Sequence, residues 1–321
     1  MAITLAEAKV GMADKVDQNV VDTFRRSSLL LDNLVFDNAI SPGTGGSTLT
    51  YGYIQLLTPS TAAVRKINEE YTAGEAKRTE KTAKAVVMGG KFSIDRVLIG
   101  TAGAVDELAF QSEQKIKATA NYFNNLTING NVAASGEGVV NTFDGLDKLL
   151  TGAETEITSA VDVSTSEKMD AGYNALLDEV DAFLSALDGK PSMLLMNEKM
   201  LTKMRSAARR AGYYSKTRDE FGRTVEAYND IPMYDLGKYY NGSETVDIIP
   251  VTAGATDIYA VSIGLDGFHG ISPTGNKIIN SFMPDLNAPG AVKDGEVELV
   301  AGVVLKNSNK AGVLRGVKVS A

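Results

Sequence analysis

The stretch Leu57–Thr82, LTPSTAAVRKINEEYTAGEAKRTEKT, decides how the chain is read. It holds few large apolar residues but carries Arg65, Lys66, Glu69, Glu70, Glu75, Lys77, Arg78, Glu80 and Lys81. Such a segment cannot bury much against its own domain. Ser47–Leu56 (STLTYGYIQL) precedes it, alternates, and is rich in Thr, Tyr, Leu and Ile, so it reads as a strand. Ala83–Met88 and Lys91–Leu98 come next as two further strands, with Gly89-Gly90 between them as a break. Ordered loops beyond about 12–15 residues are uncommon in compact domains, and those that occur are usually functional or disordered. Two readings compete. Taken alone, the stretch slightly favours a solvated surface loop. The physical reading preferred for the whole chain is a protruding hairpin that docks onto a neighbouring subunit.

Composition sets the outer bounds. The chain has 321 residues, 44% hydrophobic and 22% charged, which is ordinary for a globular protein that buries a sizeable core. No apolar run approaches the roughly 18–20 residues of a membrane span. Val297–Leu305 is the richest late stretch, but it is short and carries Glu298. The N-terminal MAITLAEAKV lacks the basic-then-apolar layout of a secretory signal. With no cysteine, disulfides, thiolate metal sites and a cysteine nucleophile are excluded, which suits folding in a reducing cytosol. The net charge of −8 gives no general attraction for DNA or an anionic membrane. It argues against a nucleic-acid reader, though not against a container that keeps nucleic acid at a distance.

Residues 1–40 read as helical and exposed. Thr4 and Glu7 have capping-box spacing. A second helix is expected from about Ala13 to Leu31, with Val16, Val20, Phe24 and Leu31 along one stripe and Arg25 and Arg26 off it. These helices make a poor core alone and need something to lie against. Ser41–Ser47 (SPGTGGS) reads as a hinge. From Val105 to about Ile128 runs the strongest helix, with Val105, Leu108, Ala109, Ile116, Ala120, Phe123 and Leu126 on its stripe and Asn129-Gly130 as its stop. Its length would be about 36 Å, enough to act as a spine for a sheet. Helices are also expected over Asp170–Leu187 and Glu198–Ala211, the latter capped by Asn197 and ended by Gly212, with a buried strand over Ser192–Met196 between them. Strands are expected at Thr224–Tyr228, Ile231–Tyr234, Val246–Val251, Ile258–Ile263, Lys277–Phe282, Glu296–Leu305 and Val313–Val319.

The chemistry of an enzyme is hard to assemble here. His269, in GFHGIS, is the single histidine, and a lone histidine is more often structural than catalytic. One His and no Cys make a structural zinc site a poor fit. Gly270–Lys277 (GISPTGNK) lacks the Gly-Lys-Ser/Thr ending of a phosphate loop, and Met88–Ser93 (MGGKFS) fails because Phe92 follows the lysine. Lys199, Lys203, Arg205, Arg209, Arg210, Lys216, Arg218 and Arg223 cluster near Tyr213-Tyr214, a mix that a nucleic-acid patch would use. In an acidic chain they read better as a solvated helix face and loop. No catalytic, cofactor or metal residues are assigned.

Several motifs, in this order, carry a resemblance. Glu69–Leu98 (EEYTAGEAKRTEKTAKAVVMGGKFSIDRVL) is similar to the segment that leaves an extended loop and enters a peripheral domain. Asp106–Asn131 (DELAFQSEQKIKATANYFNNLTINGN) resembles a spine helix with an Asn-Gly exit. Phe143–Leu150 (FDGLDKLL) resembles the entry to an axial domain, Lys190–Arg205 (KPSMLLMNEKMLTKMR) its strand–Asn–helix element, and Tyr228–Leu236 (YNDIPMYDL) the Ile-Pro strand after that. Together they resemble a tailed-bacteriophage major capsid protein of the Hong Kong 97 type, over nearly the whole chain.

The resemblance implies an α+β fold with an N-terminal arm (1–40), an extended β-hairpin loop (41–92), a peripheral domain with a long spine helix (93–142 and 290–321) and an axial α/β domain (143–289). It implies a protein without enzymatic activity or cofactor, self-assembling through pentamers and hexamers into an icosahedral shell around packaged double-stranded DNA. Such a protein resides in the virion and assembles in the bacterial cytoplasm. A portal, a scaffolding protein and a decoration protein are its expected partners, without sequence-specific nucleic-acid or membrane contact. The missing long helical N-terminal extension implies a separate scaffold, or none. Subunit-interface candidates are Val16, Val20, Phe24, Arg25 and Arg26 on the arm and Arg65, Lys66, Glu69, Glu70, Glu75, Lys77 and Arg78 on the loop. The alternative is an encapsulin-like nanocompartment shell enclosing a cargo enzyme, whose relatives usually open with a short cargo-binding helix.

Overall fold

The computed structural model describes residues 33–38, 40, 49–58, 60–101, 107–134, 142–212, 215–218, 224–273 and 279–320. The two expected arm helices and the Ser41–Ser47 hinge lie outside these residues, as do the interface candidates Val16, Val20, Phe24, Arg25 and Arg26. The end of the expected arm is not exposed helix. Phe36–Asp37 forms a short strand, β1, and Leu34, Phe36 and Ile40 are buried.

Strand β2 (Thr50–Thr58) pairs antiparallel with β3 (Lys77–Lys84), in a register running from Thr50 opposite Lys84 to Thr58 opposite Lys77. The charged stretch is therefore partly strand. Its sequence hides this, because β3, KRTEKTAK, has no apolar face to betray it. Strand β4 (Val86–Asp95) runs unbroken through Gly89-Gly90, contrary to the expected interruption. The two glycines face β15 (Val292–Leu305), with Gly89 opposite Glu298 and Gly90 opposite Val297. Gly89 has φ +155°, and a Cβ there would meet the Val297 carbonyl oxygen at 2.0 Å. The pair marks close backbone approach within a strand rather than a turn.

Helix α1 (Arg96–Thr101) comes next, then the long helix α2 (Glu107–Asn129), about 35 Å at 1.5 Å per residue. Val105, at the head of its expected stripe, lies outside the described residues, and the rest of the stripe holds only toward the C-terminal end. Ala109 is exposed, while from Thr119 onward burial extends around the helix to Asn121, Asn124, Asn125 and Thr127. The end of α2 enters the core, so polar residues are buried there beside Phe123, Leu126 and Ile128. Thr127 donates to the Phe123 carbonyl at 2.9 Å, and the Asn129 amide donates to the Asn125 side chain and the Ile248 carbonyl. At the exit, the Gly145 N–H donates to the Gly130 carbonyl at 2.8 Å, and a Cβ on Gly130 would sit 2.3 Å from the Phe143 carbonyl oxygen. Only glycine admits that crossing.

Further along come α3 (Leu146–Leu150), β5 (Glu156–Thr158), α4 (Ser166–Ser185), β6 (Met193–Met196), α5 (Glu198–Ala211), β7 (Ser215–Arg218), β8 (Thr224–Tyr228), β9 (Ile231–Asp235), β10 (Lys238–Tyr240), β11 (Thr245–Asp247), β12 (Ala255–Val261), β13 (Phe268–Ile271), β14 (Ile279–Phe282) and, after β15, β16 (Ala311–Lys318). Helix α5 is capped as its sequence indicates: the Asn197 side chain accepts from the Met200 N–H at 2.8 Å, and Gly212 closes it at φ 77°. The expected strand Val246–Val251 is only Thr245–Asp247. Ile248 and Ile249 are instead buried in the core as irregular chain.

Two large sheets result. One has the order β1-β13-β15-β14, with β4 also pairing β15. The other is seven-stranded, β5-β16-β12-β6-β9-β8-β7. The last two strands join different sheets. Strand β15 pairs β4, β13 and β14, while β16 lies between β5 and β12 in the seven-stranded sheet. The sequence shows an apolar strand at most of these places, but nothing local in it tells which sheet a strand joins.

Alternation along the seven-stranded sheet splits the core. Leu194, Met196, Ile258, Ala260 and Leu314 pack with α4 and α5 through Val180, Phe183, Met200 and Met204. Met193, Leu195, Tyr259, Val261 and Val313 face the other way, into a cluster shared with Phe123, Phe143 and Leu146 and with Val86, Leu299, Ala301 and Val303 of the other sheet. One apolar cluster thus binds the two sheets through the end of α2.

An ion cluster ties α3 to the seven-stranded sheet. Arg315 on β16 donates to Asp147 of α3 at 2.6 Å, to Glu156 of β5, and to Asp257 of β12 at 3.2 Å. Burial disfavours its charge, but hydrogen bonds to Asp147 and Glu156 hold its pKa above the ordinary value. The Gly152 N–H, together with Arg315, holds Glu156 below the usual carboxylate range. Arg315→Met strands three carboxylates within one partly buried site, and we expect it to cost about 2–3 kcal/mol, below the 3–5 of a fully buried pair. Denaturant unfolding measures this. The folded-state pKa of Glu156 is depressed, so its contribution is present above the unfolded value near 4 and lost as pH falls below it. The gap between the two proteins is therefore expected to narrow through that window.

Candidate assembly surfaces

The β2–β3 hairpin hydrogen-bonds to no other strand among the described residues, and everything from 60 to 76 is exposed. Its connecting segment is held by short internal bonds. Ser60 Oγ donates to the Gly74 carbonyl at 3.3 Å, and Arg65 Nη1 donates to the Glu69 carbonyl at 3.2 Å. The Arg65 guanidinium also lies 5.2 Å from the centroid of the Tyr71 ring, and Lys66 and Glu69 approach to 4.0 Å. Of the loop candidates, Arg65, Lys66, Glu69, Glu70 and Glu75 sit in this segment and Lys77 and Arg78 on β3, all of them exposed. The structure therefore places all seven on one arm.

Charge is only half of the arm's surface. Val64 is 100% exposed, Ile67 90% and Tyr71 63%. Three apolar side chains at the far end of a two-stranded arm have no apolar surface of their own to cover. Counting charges along the segment misses them. VRKINEEY, Val64–Tyr71, does carry the signal, an apolar residue every three or four positions on a segment otherwise polar.

The root of the arm is different. Tyr51 and Tyr53, from the TYGY alternation, are buried and stack with centroids 6.2 Å apart. With Ile40, Ala85, Ile271 and Val304 they form a small separate cluster that seats the hairpin on the β13–β15 face. The Tyr51 hydroxyl donates to Asp37 at 3.1 Å, and Lys306 Nζ lies 5.4 Å from the centroid of its ring. An open cleft of about 760 Å³ runs beside the root, lined by Tyr51, Tyr53, Ile54, Arg78, Glu80 and Lys306. His269 also belongs to this region. It is fully buried on β13, with its ring edge-on to Tyr51 at 6.0 Å, so it is a core histidine.

Arg223, Tyr213 and Tyr214 of the basic cluster lie outside the described residues, and three of its residues on α5 are engaged within the chain. Arg205 pairs with Glu226 at 2.7 Å, Arg210 with Asp170 at 2.6 Å, and Lys203 donates to the Ser164 carbonyl. That is the arrangement of a solvated helix face meeting acidic neighbours. Among the described residues no group of His, Asp and Glu is placed to hold a metal ion, and no helix is long and apolar enough to cross a membrane.

No protein-family profile and no curated protein sequence matches the chain. Solved structures match it over nearly its whole length. The holo-SrpI encapsulin complex from Synechococcus elongatus PCC 7942 aligns with TM-score 0.64 at 13% identity, covering 100% of this chain and 98% of that one. The capsid of the native GTA particle aligns with TM-score 0.63 at 12% identity, covering 99% and 100%. The capsid of Myoviridae phage XM1 gives 0.61 at 13% identity, covering 98% and 99%. At such identities the likeness is one of fold, and both chains are used end to end.

Proposed function

We propose that this chain, which has the Hong Kong 97-type capsid fold, is the major capsid protein of a tailed bacteriophage or prophage. In this reading it self-assembles through pentamers and hexamers into an icosahedral shell around packaged double-stranded DNA. It acts as a structural protein of the virion, without an enzymatic role, and assembles in the bacterial cytoplasm. The observation that carries the reading is the arm: a two-stranded hairpin with no apolar surface of its own to cover Val64, Ile67 and Tyr71, the first two of them almost fully exposed. Such a surface is explained by a second copy of the chain. The two-signed charge of Arg65, Lys66, Glu69, Glu70, Glu75, Lys77 and Arg78 suits a like-built neighbour, and Val16, Val20, Phe24, Arg25 and Arg26 of the N-terminal arm are proposed to serve the same boundaries. Phage and GTA capsids align over the full chain, which supports this reading. A scaffolding protein, a portal and a decoration protein are proposed partners.

The encapsulin alignment favours a second reading, a nanocompartment shell around a cargo enzyme. Both readings require shells. Electron microscopy of the purified chain is expected to show closed particles or their pentamers and hexamers. A monodisperse monomer at high concentration would overturn both. Particles recovered from the native host separate the two readings: nuclease-protected DNA supports the first, a protein cargo without DNA the second.

A further inference from the structure

His269 is fully buried, and neither of its ring nitrogens makes a hydrogen bond of ordinary geometry. A buried polar group left unpaired costs stability, and such groups are rare in folded proteins. Its position gives the cost a meaning. Strand β13 carries His269 opposite Val304 of β15, and the imidazole lies edge-on to Tyr51, the residue that seats the hairpin root. Ile271 and Val304 complete the seat.

We propose that His269 is a proton-sensitive latch on the hairpin root: neutral, it is compatible with the closed apolar seat under Tyr51 and Tyr53, and protonated, it loosens that seat and frees the arm. The charged groups around it set the direction. From the segment after β15, Lys306 approaches the same Tyr51 ring and opposes a second positive charge. From β1, Asp37 is engaged by the Tyr51 hydroxyl. Asp266 lies in the turn before β13, and the Gly267 carbonyl beside it already accepts from the Lys306 N–H at 3.1 Å. From β3, Arg78 and Glu80 line the cleft beside Tyr51. Burial, then Lys306, holds the imidazole below its ordinary pKa, with the Gly267 backbone, Asp37 and Asp266 acting the other way. When the root opens, water reaches the ring and its affinity for protons returns to the ordinary value near 6.5. The open state thus binds more protons, and the closed root is favoured above about pH 6.5 and progressively lost as pH falls below it.

Hydrogen exchange on the purified full-length chain tests this between pH 5 and 8, after correction for intrinsic rates. Amides of residues 50–55 and 78–84 are expected to lose protection below about pH 6.5, by up to about tenfold per pH unit for one linked proton. Amides of β12 and β16 serve as the control and are expected to stay flat. His269→Leu, or His269→Phe if the first does not fold, is expected to remove the pH dependence at the root. Because the chain has a single histidine, its imidazole resonance can be followed without any substitution and is expected to titrate below 6.5. Protection at the root that does not change with pH, the same dependence in the His269 variants, or an imidazole titrating at or above 6.5 each overturns the latch. None of these bears on whether shells form, so the capsid reading stands or falls separately.

Discussion

Replacing residues 59–76 by an Asn-Gly dipeptide, so that Thr58 turns directly into Lys77, is expected to abolish shell formation and leave a folded monomer. The register permits it, since Thr58 and Lys77 are already opposite each other and a two-residue Asn-Gly turn suits such a pair. Residues 60–76 are all exposed, so the monomer loses almost no core. Shortening the loop lowers its closure cost, and the unfolding free energy should stay level or rise by at most about 2 kcal/mol. Assembly, by contrast, would lose the contacts proposed for Val64, Ile67 and Tyr71 at each boundary between subunits. Single charge reversals such as Arg78→Glu should act in the same direction but weakly, because an exposed pair contributes about 0–1 kcal/mol and is screened by salt. Size-exclusion chromatography, electron microscopy and denaturant unfolding of one preparation give all the readouts. Shells of normal yield from the truncated chain would make the arm a solvated tip.

The largest effect on the fold itself is expected from Phe123→Ala, at about 3–5 kcal/mol of unfolding free energy. Phe123 is fully buried near the end of α2, with its ring centroid 6.3 Å from that of Phe36 and 6.1 Å from that of Phe143. Phe36 belongs to one sheet, and Phe143 introduces α3 on the way to the other. Truncating the ring opens a cavity where the two sheets share their core, in a region already dense with buried Asn and Thr whose hydrogen bonds limit collapse. Chemical denaturation should show a lower midpoint. A loss under about 1 kcal/mol would mean that the sheets do not depend on each other through this contact.

The arm and Phe123 also mark the boundary between what is legible in the chain and what is not. Phe123 is legible: it lies on the helical stripe, and the Asn-Gly stop after it places the helix end correctly. The cap at Asn197 and the stop at Gly212 are legible for the same reason, because caps are local chemistry. The hairpin is legible as an arm, but β3 is not, since a strand exposed along most of its length has no alternation. Strand β13 escapes for the opposite reason: FHGI is buried at every position, and four such residues with a glycine carry no period. Gly89-Gly90 reads as a break between strands because close packing against another strand and an interruption of the chain call for the same residue. The sheet membership of β13, β14 and β16 depends on partners far away in the sequence. The root cluster draws on several separate segments, so no window of sequence contains it.

The pairing of β4 also constrains the order in which the molecule is made. Its partner is β15, and the side chains of Ser93 and Asp294, which meet across that pair, are 201 residues apart. A ribosome releases the chain from the N-terminus, so β4 emerges well before β15 and waits with the backbone groups of that edge unpaired. The seat of the hairpin waits too, because Val304 belongs to the same late strand. The arm therefore lacks part of its base until β15 has emerged. In the proposed capsid reading, nascent chains that still lack β15 are therefore not expected to associate productively, which would keep polysomes from seeding shells out of unfinished chains.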